Sequence, residues 1–361
     1  MKSKLGSLFL LLAILEPRLP AEEIPSYHEH QNLGYYIDQY DQPHAIKTID
    51  DWLIRKQHIL ANMQQVMGPL PKPAEKVPLK VRISEEAKIG NALRRKISYH
   101  TDSLQQRVNA YLFIPLNQNK KAPGILCLHQ TTRPGKEEPA GLTGNPHLHY
   151  ALELAQHGYV TLAPDYPSFG EYEYHFGPKH SYLSGTMKAI YDNIRAIDLL
   201  TSLPGVDPKN IGCIGHSLGG HNTMFTAVFD ERIKALVSCC GFTRFHKYYS
   251  GNLQGWTSDR YMPRIHTRYD NSPDKIPFDF PEIVACFAPR AFFTCSPIGD
   301  GNFEVSGVKD SLHSAQPIYD LFQQSENLQA VYPNTGHDFP DEARESSYKF
   351  LDVHLKANRV D

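Results

Sequence analysis

The chain has 361 residues, 41% of them hydrophobic, and a formal net charge of −2. That length exceeds one average domain yet suits a single α/β core. The near-neutral balance offers no basic excess for nucleic acid and no charge block for a disordered tail.

At the N-terminus Lys2 and Lys4 precede an apolar run from Leu5 to Leu15, followed by Pro17, Pro20 and Ala21. A basic start, a short apolar stretch and a small-residue cleavage position read as a secretory signal over residues 1–21. The stretch is too short for a stable membrane span, so the protein is expected to be exported to the periplasm or secreted. Export would suit disulfides. The six cysteines argue otherwise, because Cys127, Cys213, Cys239, Cys240 and Cys295 lie in apolar strand-like runs and Cys286 follows Ile283-Val284-Ala285. Buried cysteine behaves as a small hydrophobe, so free thiols are expected, and the absence of CxxC spacing predicts no metal.

Residues 22–75 read as an N-terminal extension, irregular at first and helical from Ile49. Asp50 and Asp51 start the helix, Trp52, Leu53, Ile59, Leu60 and Met63 form its apolar stripe, and Gly68 with Pro69-Leu70-Pro71 stops it. Residues 76–361 read as the main domain. Runs at 79–83, 92–99 and 108–115 predict an antiparallel meander feeding a larger sheet. From Ala122 the rhythm becomes strand, helix, strand. Strands are expected at 124–129, 159–164, 233–240, 291–295 and 328–332, and helices within 147–157 and at 182–203 and 341–355. Such alternation implies a mostly parallel sheet covered by helices on both faces. Residues 242–280 break the rhythm with Phe242, Phe245, Tyr248, Tyr249, Trp256, Tyr261 and several arginines. They predict an insertion over the C-terminal edge of the sheet, where ligands bind in such folds, with Trp256 as a substrate-binding ring.

The stretch from Asn210 to Phe229 carries the chemistry. An apolar strand containing Ile211, Cys213 and Ile214 enters a turn, and a helix with Met224, Phe225, Val228 and Phe229 leaves it. At the turn, Gly215-His216-Ser217-Leu218-Gly219 fits G-x-S-x-G, the nucleophile elbow. A serine on so sharp a turn has crowded dihedrals, so small residues must flank it. The helix N-terminus behind it favours developing negative charge. Ser217 is the expected nucleophile.

A serine hydroxyl needs a base, and the base an orienting acid, in the chain order Ser, Asp or Glu, His. His313, His337 and His354 follow the insertion. His337 lies in a loop just after the last apolar strand and has the right position, whereas His354 falls inside a helix and His313 opens one. Asp300 ends the preceding strand between glycines, with Asp310 and Asp338 as rivals for the acid. One oxyanion donor should be the N–H of Leu218, and a second should come from Gln130 or Thr131 after the first parallel strand. His216 and His221 are expected to be structural.

These pieces resemble the α/β-hydrolase superfamily from Ala122 to Lys356. LCLHQTT with the following GKEE, GHSLGG, CFAPRAFF…GDGNF and YPNTGHDFP look most like exported bacterial dienelactone-hydrolase-like and acetyl-xylan-esterase-like serine hydrolases. The resemblance implies a cofactor-free esterase working through Ser217, Asp300 and His337 on a small-molecule or carbohydrate ester. Serine at 217 speaks against true dienelactone hydrolase activity, which uses cysteine. The prolyl-oligopeptidase group shares the catalytic domain, although this chain is too short for its propeller. Aminoacyl peptidase activity therefore stands as the alternative, with a non-catalytic binding protein of the same fold as the other. Neither the substrate nor the oligomeric state follows from these motifs.

Overall fold

The computed structural model describes residues 24–72, 76–103, 106–116, 120–176 and 182–356. The expected signal segment, 1–21, lies outside the described residues. The chain opens with a two-stranded ribbon, β1 (Tyr35–Ile37) and β2 (Pro43–Ala45), and helix α1 (Ile49–Met67). Thr48 caps α1: its hydroxyl accepts from the Asp51 N–H, and the Asp51 carboxylate accepts from the Thr48 N–H. Asp51 thus works as the reciprocal partner of a threonine cap, a capping box, rather than as the cap itself.

Strands β3 (Arg82–Ile89), β4 (Ala92–Tyr99) and β5 (Val108–Pro115) form the antiparallel meander. The first of them begins and ends later than its apolar residues predict. Residues 84–89 are largely exposed on an edge, so they show no alternation and pair only through β4. After it come β6 (Ala122–Leu128), α2 (Tyr150–Gln156), β7 (Val160–Pro164), α3 (Gly185–Ser202), β8 (Val206–His216), α4 (Leu218–Phe229) and β9 (Ile233–Cys239). Short 3₁₀ turns and α5 (Arg264–Thr267) occupy the insertion. The chain then forms α6 (Phe280–Ala285), β10 (Ala291–Cys295), α7 (Val305–Leu321), β11 (Leu328–Val331) and α8 (Asp341–Leu355). His313 sits inside α7 instead of opening a helix. That helix starts at Val305 after Glu304, whose side chain makes no capping bond, so the sequence carries no start signal there.

Among the described residues nine strands make one sheet in the order β11-β10-β9-β8-β6-β7-β5-β4-β3, parallel from β11 to β7 and antiparallel from there to β3. The parallel strands are buried on both faces, as continuous apolar runs require. Leu126 and Leu128 of β6 face a core shared with α1, α3, α4, α6 and α7, whereas Ile125 and Cys127 face α2 and α8. This is the α/β-hydrolase fold. All six cysteines are free and buried. No helix among the described residues is long and apolar enough to cross a membrane.

The N-terminal extension shares the main core, because Trp52, Met63, Val66 and Met67 pack into it. A buried charge network fastens it as well. Glu282 of α6 accepts from Arg55 Nη2 at 2.6 Å and pairs with His30 Nδ1 at 2.8 Å. Burial works to raise the Glu282 pKa, but His30 and Arg55 outweigh it and hold the carboxyl below its ordinary value. The carboxylate's stabilising share is present above its unfolded-state pKa and fades as pH falls through the lower folded value. Glu282→Gln is expected to destabilise the chain by roughly 3 kcal/mol, because it leaves Arg55 buried without a counter-charge. It should also flatten the loss of stability on acidification. Urea unfolding midpoints at neutral and acidic pH test both.

Candidate active site

The elbow is built by steric exclusion. Ser217 has φ 54° and ψ −118°, between the last residue of β8 and the first of α4. Its N–H donates to the Cys239 carbonyl at 2.8 Å, which ties the turn to the neighbouring strand. A Cβ on Gly215 would come within 2.2 Å of the Gly219 backbone, and one on Gly219 within 1.8 Å of the Leu128 carbonyl oxygen. Neither position tolerates a side chain, so the motif's glycines follow from backbone packing. Ser217 is left half-buried at the N-terminus of α4, where the Leu218 N–H has no preceding helical turn to bond.

Ser217 lines a cavity of about 270 Å³ together with Gln130, Thr131, Leu218, Trp256 and His337. The expected nucleophile, base, oxyanion groups and substrate-binding ring thus meet in one place. Asp300 lies behind them. Its two carboxylate oxygens stand 3.0 and 2.9 Å from His337 Nδ1. The N–H groups of Asn302 and Phe303 donate to the same carboxylate at 2.8 and 3.1 Å. Asp310 pairs instead with Arg244, and Asp338 with His147 and Asn145. Of the three acids considered, Asp300 is the one on the His337 ring. No hydrogen bond joins Ser217 to His337 in this structure, although both face the cavity; such contacts often tighten only when substrate binds.

Burial opposes protonation of His337, but the hydrogen bond to Asp300 and the neighbouring Cys240 sulfur outweigh it and lift the imidazole above its ordinary 6.5. Burial likewise pushes the Asp300 carboxyl up, yet His337 and the two backbone donors hold it below 3.8. The pair therefore stays an ionised carboxylate beneath a basic imidazole.

The loop after β6 is tightly held. Gln130 Nε2 donates to both Glu138 oxygens at 3.1 and 2.9 Å, so its side-chain nitrogen is committed to the protein, and its carbonyl meets the His129 ring, which leaves the main-chain N–H as the donor it can offer a ligand. Buried Lys136 binds Asp165 and Glu171 at 2.8 and 2.7 Å and anchors the loop from below. Thr131 Oγ1 meets the Tyr261 hydroxyl at 3.1 Å, bridging the loop to the insertion.

The insertion supplies the roof through Tyr248, Gly255, Trp256 and Tyr261, and Asn302 and Phe303 close one side. Trp256 is only 6% exposed and lies within 6.2 Å of Phe245, Phe280 and Phe303. It is a core residue and a cavity wall at once. His221, expected to be structural, also reaches the wall. It packs on Phe225 and Trp256, and burial pushes its pKa down to about 3, so it stays neutral and takes no base role. His216 is buried beside the site, its ring centroid 4.8 Å from that of His337. His221 thus keeps a structural role while lining the cavity, whereas Asn302 and Phe303 are wall residues that the sequence reading does not name. Both carry a usable signal, as they follow Asp300 and Gly301 in the glycine-flanked turn.

Residues 146–356 match the model of the prolyl oligopeptidase family. The chain belongs to that family. It is accordingly a serine hydrolase of the α/β-hydrolase superfamily, with the elbow, loop and histidine turn falling where the fold brings its strand ends together. Among curated proteins it is similar to YtaP of Bacillus subtilis, described as a candidate hydrolase. The two are 27% identical over 285 residues, covering 75% of this chain and 86% of YtaP. Among solved structures it is similar to a glucuronoyl esterase from Solibacter usitatus, with TM-score 0.71 and 18% identity over 94% of this chain and all of that one. An acetyl xylan esterase from Paenibacillus sp. R4 follows at TM-score 0.56 and 16% identity, covering 86% and 97%. At these identities the structural likeness is one of fold.

Proposed function

We propose that this protein is an exported esterase that cleaves carbohydrate-linked esters through an acyl-enzyme. In this reading Ser217 attacks the ester carbonyl while His337 takes its proton, and Asp300 holds the imidazole in the tautomer that accepts at Nε2. The N–H groups of Leu218 and of Gln130 or Thr131 stabilise the oxyanion. His337 then returns the proton to the departing alcohol, and water repeats the sequence to release the acid. The observation that carries the reading is the Asp300–His337 pair beside the cavity that Ser217 lines. The described lining of that cavity has no Arg, Lys, Asp or Glu, and its rings and neutral polar groups suit an uncharged acylated sugar.

Aminoacyl peptidase activity is the second reading, favoured by the family match. A panel of acyl esters, acetylated sugars and aminoacyl amides separates the two. Acetylated sugars should give the highest kcat/KM. Amide turnover exceeding ester turnover would overturn the esterase reading. Export predicts a mature N-terminus near Glu22, and N-terminal sequencing of protein from its native host that finds Met1 intact would reject it.

A further inference from the structure

Beneath His337 lies a group of soft ligands, none of which attacks the ester or exchanges a proton with it in the reaction just proposed. His216 ends β8 and Cys239 ends β9, and the parallel ladder pairs these two residues directly. Cys240 follows with φ 48°, a left-handed conformation unfavourable for a residue with a side chain, and its N–H is fixed to the Cys295 carbonyl at 2.9 Å. The consequence is that two successive sulfurs lie on the same side, 3.7 Å apart. In a regular strand successive side chains point to opposite faces.

The imidazole of His216 is 1% exposed, and neither ring nitrogen has a hydrogen-bond partner among the described residues. A buried imidazole without partners costs free energy unless something else satisfies it. One ligand atom from each of His216, Cys239 and Cys240 falls within a 4.8 Å group, and Cys240, Asp300 and His337 form a second such group that shares its sulfur.

The geometry points to a thiophilic divalent-cation site, for an ion of the zinc or cadmium class, formed by the sulfurs of Cys239 and Cys240 and a ring nitrogen of His216. Two thiolates about 2.3 Å from zinc at a tetrahedral angle stand roughly 3.8 Å apart, close to the observed sulfur separation. Two Cys and one His make a three-ligand set with the fourth position open, and His337 is the group adjacent to it. Binding displaces to solvent whatever protons the two sulfurs still carry and takes over the sulfurs now directed at the Asp338 carbonyl. The half-buried His337 marks the entry side. An occupied site restrains Cys240 beside His337, so the cation acts as an inhibitor. The site itself does not depend on the esterase reading.

The test is cadmium titration of the full chelator-treated chain. The expected result is thiolate-to-cadmium ultraviolet absorption that saturates at one ion per chain, accompanied by proton release. His216→Phe, which keeps both sulfurs, should weaken binding at least tenfold, and Cys239→Ala/Cys240→Ala should abolish the absorption. A wild-type chain that shows no absorption or releases no protons overturns the site, even if the cysteine variant fails to fold. Undiminished affinity in His216→Phe also overturns it. On any ester the wild type turns over, zinc should inhibit over the concentration range that fills the site, and a chelator should restore turnover. Undiminished turnover with the site filled would overturn the inhibitory role and leave the titration to decide the site.

Discussion

Replacing Ser217 by alanine is expected to lower kcat by on the order of 10⁴ or more, with little change in fold or stability. The hydroxyl is the proposed nucleophile, and alanine removes it without adding bulk to a turn whose clearances are set by Gly215 and Gly219. What remains is the cavity with its oxyanion donors, which in enzymes of this mechanism retains modest acceleration over water. The helix behind Ser217 keeps its free N-terminal N–H groups, so substrate binding should change much less than turnover. The parallel measurement is covalent labelling. A fluorophosphonate should attach to Ser217 in the wild type and to nothing in the variant. Labelling at any other residue would move the nucleophile elsewhere and undo the assignment.

The sheet was legible because its parallel strands are buried on both faces. Continuous apolar runs such as 124–128 and 291–295 have no other comfortable place in a chain of this size. The elbow was legible for a different reason: Gly215 and Gly219 are imposed by backbone contacts, which leave a fixed spacing in the sequence. Chain order points to His337 and leaves three acids as its partner; in the structure Asp310 lies on Arg244 and Asp338 on His147, while Asp300 meets the His337 ring. The edge strand β3 and the start of α7 depart from the sequence pattern where the local signal is weak, in one case an exposed edge and in the other a missing cap. The cavity wall was only partly visible. Residues 245–267 form short 3₁₀ and α turns with no sustained period, so composition announced rings without saying which of them face the site. Trp256 shows the difficulty well, since the same aromatic ring serves core and wall. The pairing of His216 with Cys239 is set by sheet register between β8 and β9, and spacing along the chain gives no hint of it.

Asp300→Asn is expected to reduce kcat by on the order of 10⁴, as loss of the orienting acid does in this mechanism, and to move the pH profile at the same time. The carboxylate accepts from His337 Nδ1 with both oxygens near 3 Å, and backbone donors at Asn302 and Phe303 fix its position. An amide of the same shape can turn its NH₂ toward Nδ1, which favours the tautomer with the proton on Nε2, and that nitrogen then cannot accept from Ser217. The pH effect has a definite sign. Catalysis needs neutral His337, so kcat/KM rises as pH increases through the imidazole's pKa. Burial lowers that pKa, but Asp300 and Cys240 more than compensate, so the wild-type acidic limb should be centred above the ordinary 6.5. Removing the negative charge leaves burial less opposed, and the limb in Asp300→Asn should shift to lower pH. The residual activity should therefore reach its plateau at a pH where the wild type is still rising. A limb that stays put or moves upward would mean that the titrating group is not His337 paired with Asp300.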